Sequence, residues 1–139
     1  LVKVTNLAKG TEEDLTDDAE IRSFRATGDL SAVYYLNQDG ELYYQKGSGK
    51  SVEIGDDVDA FLMSPDGKTC VIISDGELYT STGKAMAAVK GLDEVSFGLA
   101  SQRGVLLVCQ DAGGGSVDVY TLSGSAPKLL VEDFEGYID

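Results

Sequence analysis

The apolar positions of this chain run at the period of strands. Three segments of strand character each carry a phenylalanine: "IRSFRA", "VDAFLM" and "VSFGLA", with Phe24, Phe61 and Phe97. Each is followed by a turn ("TGDLS", "SPDGK" or "SQRG") and then by a strongly β-prone run, "AVYYLN", "TCVIIS" or "VLLVCQ". A second turn leads into "GELYYQ", "GELYTS" or "VDVYTL", which sets Tyr43, Tyr79 and Tyr120 in register. A turn rich in Gly, Ser and Lys then precedes a short last segment, "SVEIG", "MAAVK" or "KLLVE". Four segments of alternating or continuous apolar character, separated by turn residues, predict one antiparallel meander per unit.

Turn chemistry agrees with that division. Asp39-Gly40 and Asp75-Gly76 are dipeptides suited to a two-residue type I′ hairpin turn, whose positive φ values Asp and Gly tolerate. In "SPDG", Ser64 to Gly67, proline sits where a type I turn wants its fixed φ, and glycine can take the left-handed position after it. "DAGGGS", Asp111 to Ser116, lies between two predicted strands and lacks the Lys-Ser/Thr ending of a P-loop, so it reads as a hairpin loop.

The phenylalanines recur about every 36–37 residues, close to the ~40-residue period of a four-stranded propeller blade. A single meander cannot bury both faces of its sheet, so neighbouring units must stack face to face. The expected fold class is all-β and β-propeller-like. The blades fall at about 21–57, 58–94 and 95–133. Residues 1–20 form a partial blade, in which "LVKVTN" and "EEDLT" take the third and fourth strand positions. "FEGYID", residues 134–139, aligns with the first strand of a further blade. Two closures fit: the end pieces complete one shared blade of a four-bladed ring, or the chain is an arc of a larger propeller with open edges that favour self-association. The start in mid-blade, at Leu1 with no methionine, reads as a piece of a longer protein and favours the arc.

Composition narrows the partners. With 24 acidic and 11 basic residues the net charge is −13, which argues against binding DNA, RNA or an anionic membrane. No apolar run approaches the ~20 residues of a membrane span, so no direct membrane insertion is expected of this segment. Seventeen glycines and two prolines suit many tight turns, and 42% hydrophobic residues suffice for a core. Cys70 and Cys109 sit in apolar stretches and read as buried free thiols.

The "SPDGK" of Ser64 to Lys68, followed by "TCVIIS" and "DGELYT", resembles the repeats of TolB-type propellers. "DGELYY" is similar to the repeats of propeller-like domains on Gram-positive cell surfaces. Blades one and three depart from the motif, with "ATGDL" and "ASQRG" in its place. The resemblance implies an extracytoplasmic module for binding or scaffolding in a bacterial cell envelope, anchored if at all through a segment outside this chain. It names no ligand, and a fold does not carry a function by itself. A propeller of this type also accompanies serine peptidases, whose catalytic domain would then lie outside this chain.

Catalytic chemistry has little to build on. With no histidine, neither a Ser-His-Asp nor a Cys-His arrangement can form within the chain. Two cysteines without histidine make no ordinary zinc site, and no D-x-D-x-D-G calcium loop is present. No cofactor is expected and no enzyme is read here. The charge pattern says more. Each connection between one unit and the next carries an acidic pair: Asp17/Asp18, Asp56/Asp57, Asp93/Glu94 and Glu132/Asp133. In a propeller these share one face with the second turns, which carry Asp39, Asp75 and Asp111. Lys9, Lys46, Lys50, Lys68, Lys84, Arg103 and Lys128 are expected on the opposite face. The acidic rim reads as a site for a protein partner with a basic surface, as a sensor site for a cation or small ligand, or as Asp serving its ordinary turn and solubility roles. Tyr34/Tyr35 and Tyr43/Tyr44 are adjacent strand residues facing opposite ways, so one of each pair is expected at the surface.

Overall fold

The computed structural model describes residues 2–6, 11–16, 21–28, 31–47, 49–64, 67–100, 106–123 and 126–135, and among them there is no helix. A two-stranded pair comes first, β1 (Val2–Asn6) and β2 (Thr11–Thr16). Blade one follows as β3 (Ile21–Ala26), β4 (Ala32–Asn37), β5 (Leu42–Lys46) and β6 (Val52–Gly55). Blade two is β7 (Ala60–Met63), β8 (Cys70–Ser74), β9 (Glu77–Ser81) and β10 (Ala87–Ala88). Blade three is β11 (Val95–Ala100), β12 (Leu106–Gly113), β13 (Ser116–Ser123) and β14 (Ala126–Phe134). Within each blade the strands lie in chain order and pair antiparallel, so the chain is an all-β, propeller-like stack of meanders. Phe134, aligned by its sequence with a further blade, is the last residue of β14 and sits opposite Val117. Residues 136–139 lie outside the described residues.

The second strand of each blade explains the stacking, because its side chains leave the sheet on both faces. In β8, Cys70 and Ile72 enter one core with Tyr34, Leu36, Leu42 and Ile54 of blade one, Val58 of the connection and Phe61 of β7. Val71, between them, enters the other core with Leu78, Val89, Leu92, Val95, Leu106, Val108 and Leu122. A run such as "TCVIIS" is therefore apolar throughout because both of its faces are dry. The same rule assigns "ELY": Leu78 points forward to blade three, while Tyr79 packs back on the core shared with blade one. Tyr120 likewise packs back, on the core shared with blade two.

Two expectations are corrected here. Tyr34 and Tyr35 are both buried, at 1% and 5% exposure, so neither offers an interface. Tyr34 lies on the face toward blade two, and Tyr35 on the face where Val33, Ile21 and Tyr43 gather. Each packs across the strand pair on a partner of β5: the Tyr34 and Tyr44 rings are tilted with centroids 4.9 Å apart, and the Tyr35 and Tyr43 rings are stacked at 5.2 Å. Burial therefore raises the Tyr34 hydroxyl well above the ordinary tyrosine range.

The second correction concerns the two Asp-Gly turns, which differ. Asp75 and Gly76 have φ of 50° and 75° between the paired Ser74 and Glu77, as a two-residue type I′ turn requires. At Asp39-Gly40 only Gly40 is left-handed (φ 85°). Asn37 carbonyl accepts from Gly40 N–H at 3.3 Å and Glu41 carbonyl from Asn37 N–H at 3.0 Å, the pattern of a longer hairpin with a glycine bulge. The cause is one additional residue in the loop, Gln38, together with Asn37. The Asn37 side-chain carbonyl accepts from Asp39 N–H (3.0 Å) and Glu41 N–H (2.9 Å) and so holds the wider loop. In "SPDG", Gly67 is left-handed (φ 73°) and donates to Ser64 carbonyl at 2.8 Å. Cys70 and Cys109 are free and buried, as read from their apolar neighbours.

Candidate binding site on the acidic face

The acidic connections are joints before they are anything else. Asp57, Glu94 and Asp133, the second acid of each described pair, all adopt a left-handed backbone, with φ of 52°, 51° and 48°. That turn aims the next residue inward in blades one and two. Val58 N–H bonds Gly40 carbonyl at 3.0 Å and Val95 N–H bonds Gly76 carbonyl at 2.8 Å, so both valines are buried. Each joint is thus fastened to the second hairpin of its own blade. It is also fastened to the next blade: Ser74 hydroxyl donates to Asp57 carbonyl (2.7 Å), and Asp111 N–H to Glu94 carbonyl (3.1 Å). At the third joint Asp133 N–H donates to the Asp118 carboxylate at 3.0 Å, and Ser116 hydroxyl reaches the Asp133 carboxylate at 3.4 Å.

These bonds bring acids together at one place. Between blades one and two lies an open cleft of about 550 Å³ lined by Arg22, Gln38, Asp39, Gly40, Asp57, Val58, Asp59, Ser74 and Asp75. Asp39 comes from the β4–β5 hairpin, Asp75 from the β8–β9 hairpin, and Asp57 and Asp59 from the connection that runs between them. One of these carboxylates also fastens a turn, since Asp59 accepts from Asp75 N–H at 2.8 Å. Four aspartates and one arginine thus line the cleft, the arginine being Arg22 on the first strand of blade one. Asp59 also borders a smaller apolar hollow of about 200 Å³, lined by Ala60, Phe61, Leu62, Val71, Ile73 and Ser96.

The eight acids singled out in the sequence divide accordingly. Asp17 and Asp18 lie outside the described residues. Asp57 lines the main cleft, and Asp56 beside it is exposed without lining it. Asp93 borders a separate hollow of about 230 Å³ with Lys90 and Glu77. Glu94 lies against the Gly76 turn, with its Cα 3.8 Å from where a Cβ on Gly76 would stand. Glu132 and Asp133 are exposed at the end of β14 and line none of these hollows. Arg22 and Asp59 carried no site signal in the sequence. The available clue was the alternation in "DDVD", where the residue after the buried Val58 must return to the surface.

At the opposite ends of the strands lie Lys46, Lys50, Lys68 and Lys84, while Lys128 lies within β14. Lys9 and Arg103 fall outside the described residues. Among the described residues, no group of three or more acidic or thiol side chains could hold a metal ion. Each "GELY" carries a further acid of structural use. Tyr43 hydroxyl donates to the Glu41 carboxylate at 2.9 Å and Tyr79 hydroxyl to Glu77 at 2.7 Å. The hydrogen bond to Glu41, with burial and the nearby negative charges, pushes the Tyr43 hydroxyl up to about 12. Both thiols are raised by burial, so neither is poised as a nucleophile at neutral pH.

No protein-family model matches the sequence, and no curated protein matches it either. Solved structures do match by fold. The acylaminoacyl peptidase of Pyrococcus horikoshii superposes with a TM-score of 0.64 at 10% identity, over 97% of this chain and 28% of its own. Human WBSCR16 gives 0.58 at 15% identity, over 88% of this chain and 41% of that one. The WD40 domain of SCAP from fission yeast gives 0.53 at 11%, over 84% and 32%. Propeller-type folds are thus among the neighbours, and the chain spans less than half the length of each of these three proteins.

Proposed function

We propose that this chain is a non-catalytic protein-interaction module of a bacterial cell-envelope protein, outside the cytoplasm, and that it takes a basic segment of a partner in the cleft between blades one and two. The observation that carries the reading is the cleft itself, lined by Asp39, Asp57, Asp59 and Asp75 and by a single arginine, in a chain of net charge −13. A concave site of one sign draws in a partner of the other and raises the encounter rate. The lack of histidine and the raised thiols support a binding role over catalysis. The envelope setting rests on the resemblance of "SPDGK" and "DGELYY" to envelope propeller repeats.

The test separates a site from bulk charge. A fluorescent Arg/Lys-containing hexapeptide is titrated against wild type, against Asp39→Asn plus Asp57→Asn, and against Glu53→Gln plus Glu135→Gln, which remove the same charge outside the cleft. At about 0.2–1 kcal/mol per exposed ion pair, loss of the two cleft acids should weaken binding by about two- to thirtyfold. Equal affinities for the two double variants would leave only net-charge attraction and sink the proposal.

A second reading, the propeller part of a larger peptidase-type enzyme, has in its favour the 97% coverage of this chain by the acylaminoacyl peptidase. That likeness is one of fold. A downstream α/β-hydrolase segment bearing a G-x-S-x-G elbow is the feature that would decide for it.

A further inference from the structure

We propose that β14 is a self-association edge, on which a second copy of this chain lays its own β14 antiparallel about Leu130. Three observations converge, none of which involves the acidic cleft. The first is length. β14 runs nine residues as the outermost strand of its sheet, against four in β6 and two in β10. On β6, Ile54 carbonyl is taken by Met86 N–H at 3.3 Å, and the Met86 side chain covers Gly55. Among the described residues, the hydrogen bonds that reach β14 come from its inner neighbour β13. An edge strand left open in this way is a template for another strand.

The second observation is the side chains. Leu129, Leu130 and Val131 are 42%, 58% and 39% exposed, a consecutive apolar triplet, whereas the other exposed large apolar side chains among the described residues, Phe24 and Val52, stand singly. The third is the charge order. Antiparallel pairing centred on Leu130 puts Leu129 opposite Val131, and Lys128 opposite Glu132 of the second copy, twice by symmetry. This register is the one that matches the lysine to that glutamate while keeping the apolar triplet on itself. An isologous contact of this kind closes as a dimer and leaves no edge for further growth. Opposite charges directly across a strand pair stabilise it, and like charges destabilise it. Pro127 lacks an N–H, and Leu130 is bulged where Leu129 and Val131 face the consecutive Tyr120 and Val119. Both features shorten the ladder, so the dimer is a weak one, in the micromolar range.

Sedimentation velocity from low micromolar to near-millimolar protein tests this at low salt. Wild type should pass from monomer to dimer and go no further. Lys128→Glu alone and Glu132→Lys alone should each remain monomeric over that range, and an equimolar mixture of the two should form a 1:1 dimer. The double variant K128E/E132K should dimerise as wild type does. All these side chains are exposed, so unchanged melting curves confirm that each variant is folded. The proposal is overturned by a wild type that stays monomeric, by open-ended oligomers, by single variants that dimerise like wild type, or by a mixture that stays monomeric.

Discussion

Glu94 allows the structural and functional readings of the acidic joints to be weighed directly. Its φ is 51°, it is exposed, and the bond its segment makes to blade three uses its backbone carbonyl, which any residue supplies. The informative comparison is Glu94→Ala with Glu94→Gly, because both remove the carboxylate and so share any charge effect. A left-handed backbone costs an L-residue with a Cβ about 1–2 kcal/mol. Glycine escapes that cost but loses about 0.5–1 kcal/mol more in chain entropy on folding. The difference leaves the glycine variant more stable than the alanine variant by about 1 kcal/mol, or about fivefold in the unfolding equilibrium. For a domain of this size that is about 4 °C in melting temperature. Thermal melts followed by circular dichroism at neutral pH provide the assay, with urea titration as a check on the free energy. Equal melting temperatures, or a more stable alanine variant, would mean that the left-handed joint is not a real constraint, and the reason given for the turn between blades would fail with it.

Other consequences can be checked alongside. Ile72→Ala, emptying a fully buried position between blades one and two, should cost about 2–5 kcal/mol by urea unfolding with little change in the denaturant slope. Asn37→Ala should cost about 1–3 kcal/mol, since Asp39 N–H and Glu41 N–H lose their acceptor, whereas Gln38→Ala should leave stability within about 0.5 kcal/mol. Tyr43 holds its proton more tightly folded than unfolded, so the stability tied to it is complete below pH 10 and declines as pH rises through about 12. Tyr43→Phe should therefore flatten, without abolishing, the loss of stability across that window, because the buried Tyr34 is raised as well. Ellman's reagent should react slowly with native protein at pH 8 and find two thiols per chain in denaturant, as buried, raised thiols require.

Much of this protein is written locally. The four-segment rhythm, the glycines at left-handed turn positions and the fully apolar second strands each follow from nearest-neighbour backbone sterics or from strand alternation, and these act within a few residues. The stacking of blades also follows, since a run such as "TCVIIS" leaves no face to spare for water. What the pattern did not contain was the consequence of one residue more or less. "DGELY" occurs twice, yet Gln38 makes the first copy a bulged hairpin while the second is a two-residue turn, a difference settled by the hydrogen bonds that the Asn37 side-chain carbonyl accepts. Nor could strand alternation reveal that Tyr34 and Tyr35 are both covered, because that depends on what stands against each face. The site shows the same division. Acidic pairs at the joints were legible as a repeated pattern, but Asp59, Arg22 and the cleft they share arise only where two hairpins and a connection from different blades converge. A sequence determines which residues must turn and which must be dry. Only the tertiary structure decides which distant turns meet, because that depends on how the twisted sheets stack.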